Sequence, residues 1–335
     1  MSNKTPKTTF LGRCSRLLLS ATAASLITTA PAWAQAWPMK PVKLLVGFPG
    51  GSTPDIAARV LADTLAKTWG QPVVVENKPG ASGNVAADQV AKASDDHTLG
   101  IVINGNLTSA KQLNPKLNYD PAKDFSFISL IATAPLVLVT PADQPQGAAW
   151  VAAARSAGDK WSYGSVGIGS VGHLGMEVVK AAIGAGSSTA GAVHVPYNGN
   201  PAVVTGLIGG QVQMALIPPG VALPQVKAGK LHAVGLTGPR SPLAPDVPPL
   251  ADAGVKMAAL EVWTALVAPA NLSKPALERL AKDVPAAVRD PEARQRLLTG
   301  GWDPQGSSAE GLASRVKEEA RILGDIITSR GIKLE

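Results

Sequence analysis

Residues 41–70, PVKLLVGFPGGSTPDIAARVLADTLAKTWG, decide how this chain folds. The stretch opens on Val42, Leu44, Leu45 and Val46, a short aliphatic run that reads as a buried strand. It breaks at Gly47-Phe48-Pro49-Gly50-Gly51-Ser52-Thr53-Pro54, where glycines free the backbone and prolines pin it. From Asp55 onward, Ile56, Val60, Leu61 and Leu65 fall on one face of a helix. Asp55 heads that pattern, either as its cap or within its first turn, where the helix dipole favours a carboxylate. Strand, glycine turn and helix N-terminus form a natural anion site, because unpaired first-turn N–H groups converge on the turn. The same arrangement is the ordinary βα turn of an α/β domain, so it speaks to fold class more firmly than to function.

Outward from this unit the pattern repeats. Residues 72–76 read as the next strand, 77–84 as a turn and 85–93 as a helix, and a third strand over 98–103 ends in a polar turn, Asn104-Gly105-Asn106-Leu107-Thr108-Ser109. Three βα units in a row predict a parallel sheet, with ligands bound beyond the carboxyl ends of its strands. The apolar run 128–140 is too long for one small strand and is predicted to cross between domains. A strand over 160–166 then leads into Gly167-Ile168-Gly169-Ser170-Val171-Gly172-His173 and a helix over 174–183, a second anion cradle lined by Ser165 and Ser170. This turn matches G-x-G-x-x-G, but no acid lies about 20 residues beyond it to hold a ribose, which argues against a dinucleotide fold. Strands follow over 192–195, 212–217 and 232–237, with the turn Pro196-Tyr197-Asn198-Gly199-Asn200-Pro201 after the first. A proline-rich loop spans 239–249, a second crossing strand 262–268, and three helices close the chain. Crossings near 137 and 262 predict two α/β lobes, 37–137 with 262–335, and 138–261.

Composition narrows the function. Aromatic residues make up 4% and charged residues 16% of the chain, too few for a disordered protein or a nucleic-acid binder built on stacking. The net charge of +7 owes four positive charges to Lys4, Lys7, Arg13 and Arg16, which lie in an N-terminal segment of 36 residues without an acid; the rest carries +3. No dense basic run remains, so no nucleic-acid partner is expected. That basic segment precedes the apolar residues 17–30 and two small-x-small sites, Ala32-Trp33-Ala34 and Ala34-Gln35-Ala36, the pattern of a secretory signal peptide cut after Ala34 or Ala36. Cys14, the one cysteine, would leave with it, so the mature chain has no disulfide, thiolate nucleophile or cysteine metal site.

No metal-binding, Walker A or G-x-S-x-G motif is present; the order around Ser170 is I-G-S-V-G. His97, His173, His194 and His232 are too widely spaced to suggest a metal site, and neither nucleophile nor base stands out. His173 suits either a packing role in a helix's first turn or direct ligand contact. Tyr197, at a strand end, suits lining a cleft or packing within one. Binding without catalysis or cofactor is the expected class.

The series F-P-G-G-S-T-P-D-I-A-A-R, P-V-V-V-E-N-K-P-G-A-S-G-N and N-P-K-L-N-Y-D-P-A-K-D-F resembles the Bug-type extracytoplasmic receptors of tripartite tricarboxylate transporters. The likeness continues through S-V-G-I-G-S-V-G-H-L, H-V-P-Y-N-G-N-P-A, L-I-G-G-Q-V and L-P-Q-V-K-A-G-K-L, essentially the whole mature chain. The resemblance implies a two-lobed α/β periplasmic binding protein (a type II Venus flytrap) that closes on a small carboxylate. It further implies a periplasmic monomer that serves the permease subunits of a membrane transporter. It places Phe48, Gly51, Ser52, Thr53 and Asp55 in the first ligand loop and Asn104 and Asn106 after the third strand. Ser165, Gly169, Ser170 and His173 match the second-lobe loop, and Tyr197 and Asn198 the next. Two departures stand out: the Gly50-Gly51 pair lies one position early, and Ile217 stands where the family often has an acid. The alternatives are a nucleotide-dependent oxidoreductase using the same cleft and a structural secreted protein.

Overall fold

The opening strand runs Val42–Val46 (β1), followed in chain order by Val73–Asn77 (β2), Thr98–Ile103 (β3), Phe125–Pro135 (β4), Val137–Pro141 (β5) and Ser162–Ser165 (β6). Then come Val193–Pro196 (β7), Met214–Ile217 (β8), Leu231–Leu236 (β9), Glu261–Pro269 (β10) and Asp303–Pro304 (β11). The computed structural model describes residues 1–3, 37–184 and 191–334, so the segment read as a signal peptide lies almost wholly outside the described residues.

The strands form two sheets, ordered β11-β4-β10-β3-β1-β2 and β7-β6-β8-β5-β9. β1 lies parallel between β2 and β3, as three βα units require; β10 runs antiparallel beside β3, and β4 antiparallel beside β10. In the second sheet β6 pairs parallel with β7 and β8, and β5 runs antiparallel to β8 and β9. The central strands of both sheets are buried on both faces. Val42, Leu44 and Val46 join one core and Leu45 the opposite one; in β8, Met214 and Leu216 split from Ala215 and Ile217 in the same way.

The chain crosses between sheets at Leu136, joining β4 to β5, and returns over 237–260 into β10. One residue ties these crossings together. The Thr237 hydroxyl accepts from Leu136 N (3.1 Å) and donates to Leu260 O (2.6 Å), while Thr237 N donates to Leu136 O (3.0 Å). The C-terminal helix Ala309–Arg330 also links the sheets: Leu312 and Val316 pack in a core of the first, Leu323 and Ile327 in a core of the second.

One local expectation is corrected. The polar turn after β3 is two short helices, Asn104–Leu107 and Ser109–Leu113, broken at Thr108. Asn106 makes the difference, because its carboxamide oxygen accepts Ile103 N–H (3.1 Å) and curls the chain back as a cap does.

Candidate functional site

The helix Thr53–Trp69 begins where the glycine turn ends. Its N-cap is Ser52, and Asp55 falls in its first turn, which resolves the two readings of that residue. The Asp55 carboxylate accepts Gly51 N–H (2.9 Å), Arg59 Nε (3.0 Å) and Asn77 Nδ2 (2.9 Å). Burial alone would raise its pKa, but these bonds outweigh it and hold the carboxyl below its ordinary value. Gly51 takes φ +77°, which only glycine adopts without strain, and this aims its N–H back at Asp55. The Ser52 hydroxyl caps nothing: it is 1% exposed and has no hydrogen-bond partner.

That hydroxyl belongs to a small cavity between the sheets, about 30 Å³ in volume. Its walls include Phe48, Ser52, Thr53, Pro54 and Asn104 from residues 37–137 and Ser170, Val171, Gly172, Asn200 and Pro218 from residues 138–261. Four helices of at least nine residues begin here: Thr53–Trp69, Val171–Ala182, Asn200–Ile208 and Pro219–Lys227. Each brings about half a positive charge to its N-terminus. None of the described residues lining the cavity is charged, so its positive potential comes from backbone dipoles.

Asn104 is fully buried, and its carboxamide is held on one side only. Nδ2 donates to Glu319 Oε1 (2.6 Å) and to the Glu261 carbonyl (3.1 Å), whereas Oδ1 has no partner. Glu319 also accepts from Trp263 Nε1 (2.5 Å) and Arg315 Nε (3.2 Å), and burial pushes its pKa up.

The second cradle rests on a buried polar cluster. Ser170 caps its helix: its hydroxyl donates to Gly167 O (2.7 Å) and accepts His173 N–H (3.3 Å). Gly169 N donates to His173 Nδ1 (3.2 Å), which puts the proton of neutral His173 on Nε2. Ser165 Oγ accepts Gly167 N–H (3.1 Å) and lies 2.6 Å from His194 Nε2. The two imidazoles sit 4.2 Å apart, backed by Tyr163, whose hydroxyl donates to Glu177 (2.5 Å), itself paired with Lys180 (2.8 Å). Burial, with Lys180 adding, lowers His173 to about 4; burial, with His173 next, lowers His194 to about 3.

Of the residues singled out from the sequence, the structure therefore brings Phe48, Ser52, Thr53, Asn104 and Ser170 to one cavity. Gly51, Asp55, Ser165 and His173 do not line it and hold the loops by hydrogen bonds, and Asn106 and Gly169 line a separate space of about 10 Å³. Tyr197 and Asn198 line a separate open groove of about 670 Å³. Ile217 points into the core of the second sheet, and its neighbours Leu216 and Pro218 face the cavity instead. Asn200 was missed, although an Asn-Pro pair heading a helical run was the visible signal. Its Nδ2 donates to Thr53 Oγ1 (3.2 Å) across the cleft.

The model of the TctC family, described as the tripartite tricarboxylate transporter family receptor, matches residues 57–332. The chain belongs to this receptor family. Among solved structures, the periplasmic binding protein BugD is 28% identical over 89% of this chain and 100% of its own, with a TM-score of 0.82. MatC from Rhodopseudomonas palustris, solved with bound malate, is 30% identical over 87% of this chain and 99% of its own, with a TM-score of 0.79. A further R. palustris protein, solved with adipate, is 28% identical over 89% of this chain and 99% of its own, with a TM-score of 0.83. The fold is that of the two-lobed periplasmic binding proteins. The family is one of receptors, not enzymes, and the oxidoreductase alternative has no support. The G-x-G-x-x-G turn instead touches the first lobe, with Gly169 O accepting from Ser109 Oγ (2.6 Å).

Proposed function

We propose that this receptor captures a small carboxylate in the cavity between residues 37–137 with 262–335 and residues 138–261, and delivers it to the permease subunits of a tripartite transporter. The observation that carries this reading is the Ser52 hydroxyl, buried and without a partner at a helix N-terminus, in a cavity headed by three further helix N-termini. A carboxylate oxygen accepts from that hydroxyl and from the first-turn N–H groups of Thr53, Val171 and Gly172. The malate and adipate held by two similar proteins support this ligand class. On this reading the chain is exported, cut after Ala34 or Ala36, and acts in the periplasm as a monomer.

The test is a thermal-shift panel of mono-, di- and tricarboxylates on the mature chain, beside native mass spectrometry of freshly purified protein. Ligand at 100 times its Kd stabilises by about 2.7 kcal/mol. For a protein of this size that moves Tm by on the order of 5 °C. No response to any acid would refute the reading.

A further inference from the structure

We infer that the ligand is a hydroxy carboxylate whose hydroxyl donates to Asn104 Oδ1. This rests on the carboxylate-receptor reading and narrows it. The argument begins with what surrounds the Asn104 carboxamide. Its nitrogen side faces two groups, the Glu319 carboxylate and the Glu261 carbonyl. A backbone carbonyl can only accept, whatever the protonation of Glu319, so the atom facing it must be the NH₂. The amide is thereby locked against a flip, and Asn104 can present only its oxygen to the cavity. That oxygen is fully buried and has no hydrogen-bond partner in the protein.

A carboxylate alone cannot satisfy it. Carboxylate oxygens are acceptors, and placing one against Oδ1 sets two lone pairs facing each other. The donors in this cavity, the Ser52 hydroxyl and the helix N-termini, suit the carboxylate; Asn104 is the complementary acceptor and asks for an O–H or N–H on the same molecule. An ammonium would need a counter-charge or several acceptors, and no acid lines the cavity. A neutral hydroxyl is the donor that suits a single amide oxygen with no counter-charge beside it. Glu319 is then a positioning residue: it fixes which end of Asn104 the ligand meets without touching the ligand.

The experiment is isothermal titration of the mature chain with acids that differ by one hydroxyl: succinate against each enantiomer of malate, and glutarate against 2- and 3-hydroxyglutarate. A buried acceptor left unpaired by the plain acid should weaken its binding roughly tenfold or more relative to the best hydroxy partner. Asn104→Leu, near-isosteric and without the acceptor, should bring that ratio close to one, by tightening the plain acid, which no longer buries a bare acceptor, and weakening the hydroxy acid, which loses its partner. Plain and hydroxy acids binding equally in wild type would overturn the inference and leave the carboxylate reading intact. Asn104→Leu weakening both members alike would also overturn it, since Asn104 would then serve a water or the fold. A wild type that binds no member of either pair overturns the inference, whereas the carboxylate reading itself fails only if no acid of the wider panel binds. Should Asn104→Leu not fold, as its melting curve would show, the wild-type ratios still decide.

Discussion

Closure of the two lobes can be tested at one atom. Gly220 opens the helix Pro219–Lys227 beside the second sheet and faces Gly300, which follows the helix Pro291–Thr299 beside the first. Neither has a positive φ, so alanine suits the backbone at either position. A methyl on Gly220, however, would overlap the Gly300 carbonyl oxygen, and the two must part by about 1 Å to reach ordinary C···O contact. Overpacking of this kind costs about 1–3 kcal/mol, and here it falls only on the arrangement in which the lobes meet. Gly220→Ala should therefore weaken ligand binding about 5- to 150-fold. The ligand-free protein should melt unchanged or slightly higher, because alanine favours a helix over glycine by up to about 1 kcal/mol. Titration with the tightest carboxylate of the panel, and melting of the ligand-free protein, give both readouts. An unchanged Kd would show that the glycine lips do not meet around the ligand. A ligand-free Tm lowered by several degrees would show that the contact belongs to the resting fold and not to closure.

Ser52→Ala and Ser170→Ala should behave oppositely, as titration and melting will show. The Ser52 hydroxyl bonds nothing in the protein, so its loss should weaken carboxylate binding about tenfold with little change in stability. Ser170 already gives its proton to Gly167 O, so its loss should cost about 1 kcal/mol of stability as a missing cap and affect affinity less. Because His173 and His194 are held neutral, with pKa values lowered to about 4 and 3, their contribution is complete above pH 6.5 and is lost as pH falls towards 4. Denaturant melts at pH 7 and 4.5 should differ by on the order of 5 kcal/mol from this pair, and His194→Gln should reduce the difference. With no charged side chain lining the cavity, raising salt from about 0.05 to 0.5 M should change Kd less than threefold in titrations, because desolvated dipoles are screened little.

The first lobe was legible because its signals are local. Val42, Leu44 and Val46 read as a strand, Gly50-Gly51-Ser52 as a turn and Ile56 to Leu65 as a helix face, and all three fall where local chemistry puts them. The crossing near 137 was legible because an apolar run too long for one strand needs two sheets to bury it. The polar atoms were harder. Nothing in N-G-N-L-T-S shows that Asn106 turns inward to cap β3 while Asn104 turns towards Glu319, 215 residues later. Likewise Ser165, His173 and His194 read as separate residues, and only the fold brings the two imidazoles together, tilted by 34°, beneath the glycine turn. Hydrophobic period reports which face is buried; it carries no information about the long-range partner of a buried polar group.

The same buried atoms give a reason for ligand and closure to be coupled. When the lobes meet, Ser52 Oγ and Asn104 Oδ1 are cut off from bulk water without protein partners. Left bare, each costs about 1–3 kcal/mol. The cavity of about 30 Å³ has room for a water or two, but holding each there costs up to about 2 kcal/mol. Closing bonds offset part of this, Asn200 to Thr53 at 3.2 Å and Ser109 to Gly169 at 2.6 Å, each worth about 1 kcal/mol. On these polar terms alone, closing empty costs no more than a few kcal/mol, within reach of one ligand's differential affinity. A ligand that accepts from Ser52 and donates to Asn104 removes both penalties at once, in a closed form wider than the present cavity of about 30 Å³. A plain diacid removes one, so it should favour closure less as well as bind less tightly.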